Sequence, residues 1–239
     1  MKILAIDSSG LIASAALATE DAVLAEYTTN YKKTHSQTLL PMIDEIVKMT
    51  ETELSELDAI AVTAGPGSFT GLRIGSATAK GLGQALNKPL IAVPTTEALA
   101  WNFCGTEAVI CPLMDARRSQ VYTGLYRWNK ETETMDCLFE QQAVAVEDII
   151  AEVNSLGCPV IYLGDGADAY KAVLAEKTQV TFSFAPVHMS KQRAASLAAC
   201  AFMYAKEGKL VSAAEFVPTY LRKSQAERER EEKERAEQA

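Results

Sequence analysis

The chain of 239 residues carries a net charge of −8, and 48% of its residues are hydrophobic while 23% are charged. These are the proportions of a globular protein, long enough for one large or two smaller domains. A chain this acidic is a poor candidate for binding nucleic acid without a partner, because affinity for nucleic acid depends on Lys and Arg neutralising phosphates. No apolar run approaches the ~20 residues that span a membrane. A strand pattern begins directly at Lys2, so we expect no signal peptide. The five cysteines contain no CxxC pair and indicate reduced thiols in a cytoplasmic protein.

The first part of the chain has the pattern of three strands followed by alternating helices and strands. In the helix predicted over 36–49, apolar residues recur at the spacing of one helical face. The predicted elements are strands over 2–7, 13–17 and 23–28, a helix over 36–49, a strand over 60–63, a helix over 72–86, a strand over 89–93 and a short helix over 97–103.

The second part repeats this order more loosely. Asp7 and Asp115 both end an apolar strand, which suggests a duplicated pair of domains divided near Cys104. The charged tail that follows is rich in Glu, Arg, Lys and Ala and is either a solvated helix or disordered. The predicted elements are strands over 109–116, 120–128 and 135–142, a helix over 146–153, a strand over 160–163, and helices over 168–176 and 194–206, the last one ended by Gly208.

The most informative stretch is AGPGSFTGLRIG over residues 64–75. Its glycines and proline break the preceding strand, and Ser68 or Thr70 can cap the helix that follows. In that helix, small residues at Gly71, Gly75, Ala79 and Gly83 form one stripe, which we call the glycine stripe. Each helical glycine costs roughly 1 kcal/mol relative to alanine, so the stripe indicates close approach of another backbone. That backbone belongs either to a partner subunit or to this chain's own sheet.

The glycine-rich stretch and the opening residues MKILAIDSSG resemble the TsaB (YeaZ) family, an accessory subunit of bacterial tRNA threonylcarbamoyladenosine synthesis. The resemblance implies two actin-like α/β domains of the ASKHA, ribonuclease-H-like type over 1–104 and 105–222, with a charged tail over 223–239. One helix near the end is expected to pack back on the first domain. Shorter pieces extend it in order to about Arg222: His35-Ser36-Gln37, Leu39-Leu40-Pro41, Pro94-Thr95-Thr96, Asp115-Ala116-Arg117-Arg118, Val121-Tyr122 and Pro218-Thr219-Tyr220-Leu221-Arg222.

The resemblance also implies a role. The chain would be a non-catalytic subunit that binds the catalytic subunit TsaD, alongside the ATPase TsaE, with tRNA, ATP and metal held by the partners. Without TsaD it would form a homodimer. Replacing Gly75 with leucine would then abolish TsaD binding and leave the fold intact. The expected interface residues are Leu39, Ile43, Gly71, Leu72, Ile74, Gly75, Ala79, Leu82 and Gly83.

The chain resembles actin-like ATPases in the positions where a nucleotide would lie, namely Asp7, Asp115, Gly164 and Gly166. No glycine follows Asp115 to admit phosphate to the backbone, so we expect a vestigial cleft. The alternative is an actin-like ATP-dependent small-molecule kinase. The two histidines, His35 and His188, lack the spacing of a metal motif, and no nucleophile signature is present.

Overall fold

The computed structural model describes residues 1–222, and the charged tail predicted over 223–239 lies outside the described residues. The first half of the chain forms a five-stranded sheet in the order β3-β2-β1-β4-β5. The first three strands are antiparallel, whereas β4 runs parallel to β1 and β5 parallel to β4. The strands are β1 (Lys2–Asp7), β2 (Ala13–Thr19), β3 (Val23–Thr29), β4 (Ala59–Gly65) and β5 (Leu90–Pro94).

The second sheet repeats this topology. Read from its antiparallel edge its order is β8-β7-β6-β9-β10, with β9 parallel to β6 and β10 parallel to β9. Two sheets with the same strand order confirm the predicted duplication and the actin-like, ribonuclease-H-like fold class. Its strands are β6 (Val109–Arg117), β7 (Gln120–Asn129), β8 (Thr134–Ala145), β9 (Val160–Leu163) and β10 (Phe182–Phe184), the last of which the sequence did not predict.

Two helices, α1 (His35–Met49) and α2 (Phe69–Leu86), cover one face of the first sheet. Ser68 is the N-cap of α2, and its hydroxyl accepts a hydrogen bond from the amide of Gly71 at 3.3 Å. This confirms one of the two predicted caps. The buried apolar residues between these helices and the sheet include Leu4, Ile6, Leu17, Leu39, Ile43, Ile60 and Val62.

The opposite face of the first sheet packs on α7 (Ala194–Lys206). Because α7 is rich in apolar and small residues, it buries Ala194, Leu197, Ala198, Cys200, Ala201 and Phe202 against this face of the sheet. Val211 then pairs with Leu90 at the edge of β5. These contacts place α7 and Val211 on the first domain, where one helix near the end of the chain was expected to pack.

The remaining helices complete the second lobe. The short helix α3 (Thr95–Ala100), extended by a 3₁₀ turn over Trp101–Phe103, packs against the inner face of the second sheet. On the outer face lie α4 (Val146–Leu156), α5 (Asp165–Ala169) and α6 (Lys171–Lys177). The last two replace the single helix predicted over 168–176.

Candidate functional cleft between the two sheets

A cleft of about 460 Å³ lies between the lobes, where the carboxyl ends of β1, β4, β6 and β9 meet. In open α/β sheets this edge is where ligands bind. Five segments of the chain contribute to it, namely two from the first lobe, two from the second and one near residue 220. The lining residues that carry polar or aromatic groups are Ser9, Ser68, Phe69, Thr70, Asp115, Arg117, Tyr122, Asp165, Thr219, Tyr220 and Arg222.

Asp7, the predicted first-lobe site residue, lies beneath this cleft and is only 1% exposed. Its Oδ1 accepts hydrogen bonds from the Ser9 amide at 2.9 Å, the Ser9 hydroxyl at 2.6 Å and the Thr63 hydroxyl at 3.2 Å. Burial raises the pKa of Asp7, and these hydrogen bonds oppose that rise only in part. In this structure the carboxyl holds the turn after β1 together.

The glycine stripe faces this same turn. A Cβ placed on Gly71 would lie 2.0 Å from the carbonyl oxygen of Ser8, and one placed on Gly75 would lie 2.5 Å from the Ser8 hydroxyl. That hydroxyl donates to the Gly71 carbonyl at 2.8 Å. The close approach predicted from the stripe is therefore made within this chain. The expectation that leucine at Gly75 leaves the fold intact is wrong, because the side chain would collide with Ser8.

Most of the residues predicted for a partner interface are buried inside the first lobe. Leu39, Ile43, Leu72 and Ala79 are at most 4% exposed, and the three glycines of the stripe are buried as well. Only Ile74 and Leu82 are half-buried. The prediction identified the apolar face of each helix correctly but assigned it to a partner, whereas that face covers the chain's own sheet.

In the second lobe, Asp115 lies in a different environment from that of Asp7. This side chain is exposed, and its Oδ1 accepts hydrogen bonds from the Arg117 amide at 2.8 Å and the Tyr170 hydroxyl at 3.2 Å. The hairpin turn that follows holds Arg117, Arg118 and Ser119 at φ values of 62°, 55° and 57°. Three consecutive non-glycine residues in the left-handed region store conformational strain beside the cleft.

At Gly164 and Gly166, two of the predicted nucleotide positions, the chain itself fills the space beside the glycines. A Cβ on Gly164 would lie 2.0 Å from the Leu113 carbonyl oxygen, and Gly166 packs against the same residue. Neither glycine lines the cleft; the residue between them, Asp165, does. Its Oδ1 accepts from the amides of Asp115 at 3.2 Å and Gly166 at 3.1 Å, and burial raises its pKa. The sequence placed Asp165 in this loop but selected its two glycines as the site residues, although Asp165 follows a strand end as Asp115 does.

The fifth part of the cleft is the C-terminal segment Thr219–Arg222, which contacts both lobes. The Thr219 amide donates to the Ala64 carbonyl at 2.6 Å, and the Arg222 guanidinium donates to the Ala116 carbonyl at 2.7 Å. Between them, the Tyr220 ring packs on Phe69 with 4.6 Å between centroids. The sequence indicated this segment only as one piece of a family resemblance.

His35 begins α1, one residue before the predicted start of that helix, and its Nε2 lies 2.9 Å from the Gly10 carbonyl oxygen. Within residues 1–222, no group of three or more His, Cys, Asp or Glu side chains is placed to hold a metal ion. Over the same residues, no helix combines the length and the apolarity needed to cross a membrane.

Comparisons with known proteins agree along most of the chain. A family model described as "TsaD: tRNA N6-adenosine threonylcarbamoyltransferase" matches residues 22–230. The tRNA threonylcarbamoyladenosine biosynthesis protein TsaB of Bacillus subtilis is 34% identical over 95% of this chain and 96% of its own length. The protein of the same name from Escherichia coli is 31% identical over the same shares of the two chains.

Solved structures point the same way. YeaZ from Pseudomonas aeruginosa matches with a TM-score of 0.76 and 27% identity, over 92% of this chain and 99% of that one. A second structure, described as an uncharacterized protein with similarity to peptidase YEAZ from the same organism, has a TM-score of 0.79. The chain belongs to the TsaB (YeaZ) family of tRNA threonylcarbamoyladenosine biosynthesis proteins.

Proposed function

We propose that this chain is a non-catalytic subunit that binds the catalytic subunit TsaD and supports transfer of a threonylcarbamoyl group to the adenosine beside the tRNA anticodon. The observation that carries the proposal is the state of Asp7, which is buried and bonded to Ser9 and Thr63. A carboxyl used in this way is not free to position a nucleotide-bound metal. The chain supplies surface and positioning, while ATP and metal belong to TsaD and TsaE.

The surface offered to TsaD is the outer side of α1 and α2, not their buried faces. On α2, Ala77, Gly81 and Ala85 are exposed at intervals of four residues, and Leu40 of α1 is 55% exposed. A Cβ on Gly81 would meet nothing within 4 Å, so no contact inside the chain requires glycine there. A second row of small residues would let a partner helix approach closely, as in helix bundles. Without TsaD, the same surface would pair with its own copy as a homodimer.

A binding measurement tests this surface directly. We expect Gly81→Leu to weaken calorimetric binding to TsaD by about tenfold or more, because the new side chain blocks close helix packing at an interface centre. The unfolding midpoint should stay near wild type because the site is open. The matched control is Ala151→Leu on the exposed side of α4, which should bind TsaD like the wild type. Equal affinity of the Gly81 variant would contradict the interface.

A reconstituted modification assay tests the role. With TsaD, TsaE and a threonylcarbamoyl-adenylate source, tRNA modification should depend on this chain, and the chain alone should give none. Modification by the chain alone would reveal a catalytic site. Full modification without it, together with ATP binding that depends on Asp7, would favour the actin-like kinase alternative.

A further inference from the structure

The cleft contains arginine side chains that lie outside the surface proposed for TsaD. Arg117 and Arg222 line it, and Arg118 stands next to them on the exposed hairpin turn. Within residues 1–222, neither Arg117 nor Arg118 forms an ion pair with a carboxylate. In a chain with a net charge of −8, two consecutive exposed arginines without a carboxylate partner attract anions locally.

An aromatic surface lies in the same cleft. Tyr220 is 38% exposed and packs on Phe69, whose ring also carries the guanidinium of Arg73 at 4.0 Å from its centroid. The backbone hydrogen bond from Thr219 to Ala64 fixes the segment that presents the tyrosine. The ring is therefore held in place before any ligand arrives. An ordered aromatic ring beside arginines is the combination that stacks a base and contacts its phosphates.

The acidic residues of the cleft limit where a phosphate can lie. Asp115 and Asp165 sit at the ends of β6 and β9, and both already accept backbone amides. Their carboxylates repel phosphate from the ends of β6 and β9, where hydroxyl or amino groups are better partners. Phosphates are then best placed at the rim beside Arg117 and Arg118.

We propose that this cleft takes an unpaired nucleotide of an RNA strand, with its base against Tyr220 and its flanking phosphates on Arg117 and Arg118. A cleft of about 460 Å³ has room for one nucleotide. Two adjacent arginines at the rim suit the successive phosphates of a strand better than a single free nucleotide. The choice of RNA as the ligand rests on the proposed function. The arginine and tyrosine surface is observed in the structure independently of that function.

Fluorescence anisotropy with the full chain and a labelled single-stranded RNA of roughly ten nucleotides, in about 50 mM salt, tests this site. We expect R117Q/R118Q to weaken binding about tenfold or more and to lower the slope of log K against log salt by about 0.7 for each lost phosphate contact. Tyr220→Ala should weaken binding by roughly fivefold to a hundredfold, and Tyr220→Phe should restore it, because stacking needs only the ring.

The charge-matched control is K130Q/K209Q, which removes two exposed lysines near the opposite ends of the two sheets. It should leave RNA affinity within about twofold of wild type, since distant charges are screened. Equal losses in both double variants, or no saturable binding by the wild type, would overturn the site. Competition by AMP in the same concentration range as the RNA would assign the cleft to a free nucleotide and overturn the RNA assignment. TsaD binding is measured without RNA, so either proposal can fail while the other stands.

Discussion

Asp7 and Asp115 occupy matching positions in two sheets of the same topology, yet the two lobes use them in opposite ways. Asp7 is buried and accepts three hydrogen bonds from Ser9 and Thr63, whereas Asp115 is exposed and opens a strained hairpin turn. In the first lobe, the Asp7 carboxyl is used for hydrogen bonds within the chain. The second lobe contributes the charged side chains of Asp115, Arg117 and Asp165 to the cleft, whereas the first lobe contributes only uncharged groups.

The cause of this difference lies in α2. The glycine stripe brings the helix so close to the turn after β1 that Ser8 contacts both Gly71 and Gly75. No helix with a comparable stripe presses on the turn after β6 in the described residues. Close helix packing therefore closes one aspartate site and leaves the other open.

We expect the largest change in the free energy of unfolding at Gly71 of α2, with Gly81 of the same helix as its comparison. Gly71→Ala should destabilise the fold by about 3 kcal/mol or more, because its Cβ meets a backbone carbonyl that cannot move aside. Gly81→Ala in the same helix should stabilise it by roughly 1 kcal/mol, since alanine is the better helix former and the space is open. Urea unfolding of the two variants measures both. Similar stability for the two would mean that the stripe does not hold the turn.

Two substitutions of Asp7 should differ in their effect on stability. Asp7→Ala should cost about 2 kcal/mol, because the Ser9 and Thr63 groups lose their acceptor. Asp7→Asn keeps an acceptor oxygen and removes a buried charge, so its unfolding free energy at neutral pH should equal or exceed wild type.

The pH dependence of the same variants supplies a second test. The native pKa of Asp7 is raised by burial, so its protonated form is favoured in the folded state. The stability that this contributes is present below the unfolded pKa and falls as pH rises through the native value. Asp7→Asn should lose this decline in urea titrations across acidic pH. A wild-type slope retained in the variant would assign the decline to another carboxyl.

Periodicity was enough to predict nearly all of the strands and helices. It failed at β10, which has three residues, and at the helix break near Tyr170, where no glycine or proline marks the interruption. The positions of Asp7 and Asp115 at strand ends could also be predicted, because both residues follow apolar runs. The difference in their burial could not be predicted, because it depends on which element packs above each turn.

Long-range contacts explain the rest of what sequence reasoning missed. The glycine stripe indicates a close neighbour, but that neighbour, Ser8, lies 63 residues away from Gly71. Arg222 reaches the cleft through a hydrogen bond to Ala116, 106 residues before it. Spacing within one element carries no information about such pairs, so the partner of the stripe and the C-terminal wall of the cleft needed the folded structure.

The smallest effect concerns the strained turn of the second lobe. Ser119 has a φ of 57°, a conformation that glycine adopts without steric cost. Ser119→Gly should therefore raise the unfolding free energy by roughly 0.5–1 kcal/mol, despite the added freedom of the unfolded chain. The control is Ser155→Gly on the exposed side of α4, where glycine should destabilise the helix by about 0.5 kcal/mol. Stabilisation at Ser119 alone would show that the second lobe maintains strain at the same position where the first lobe has relaxed into packing.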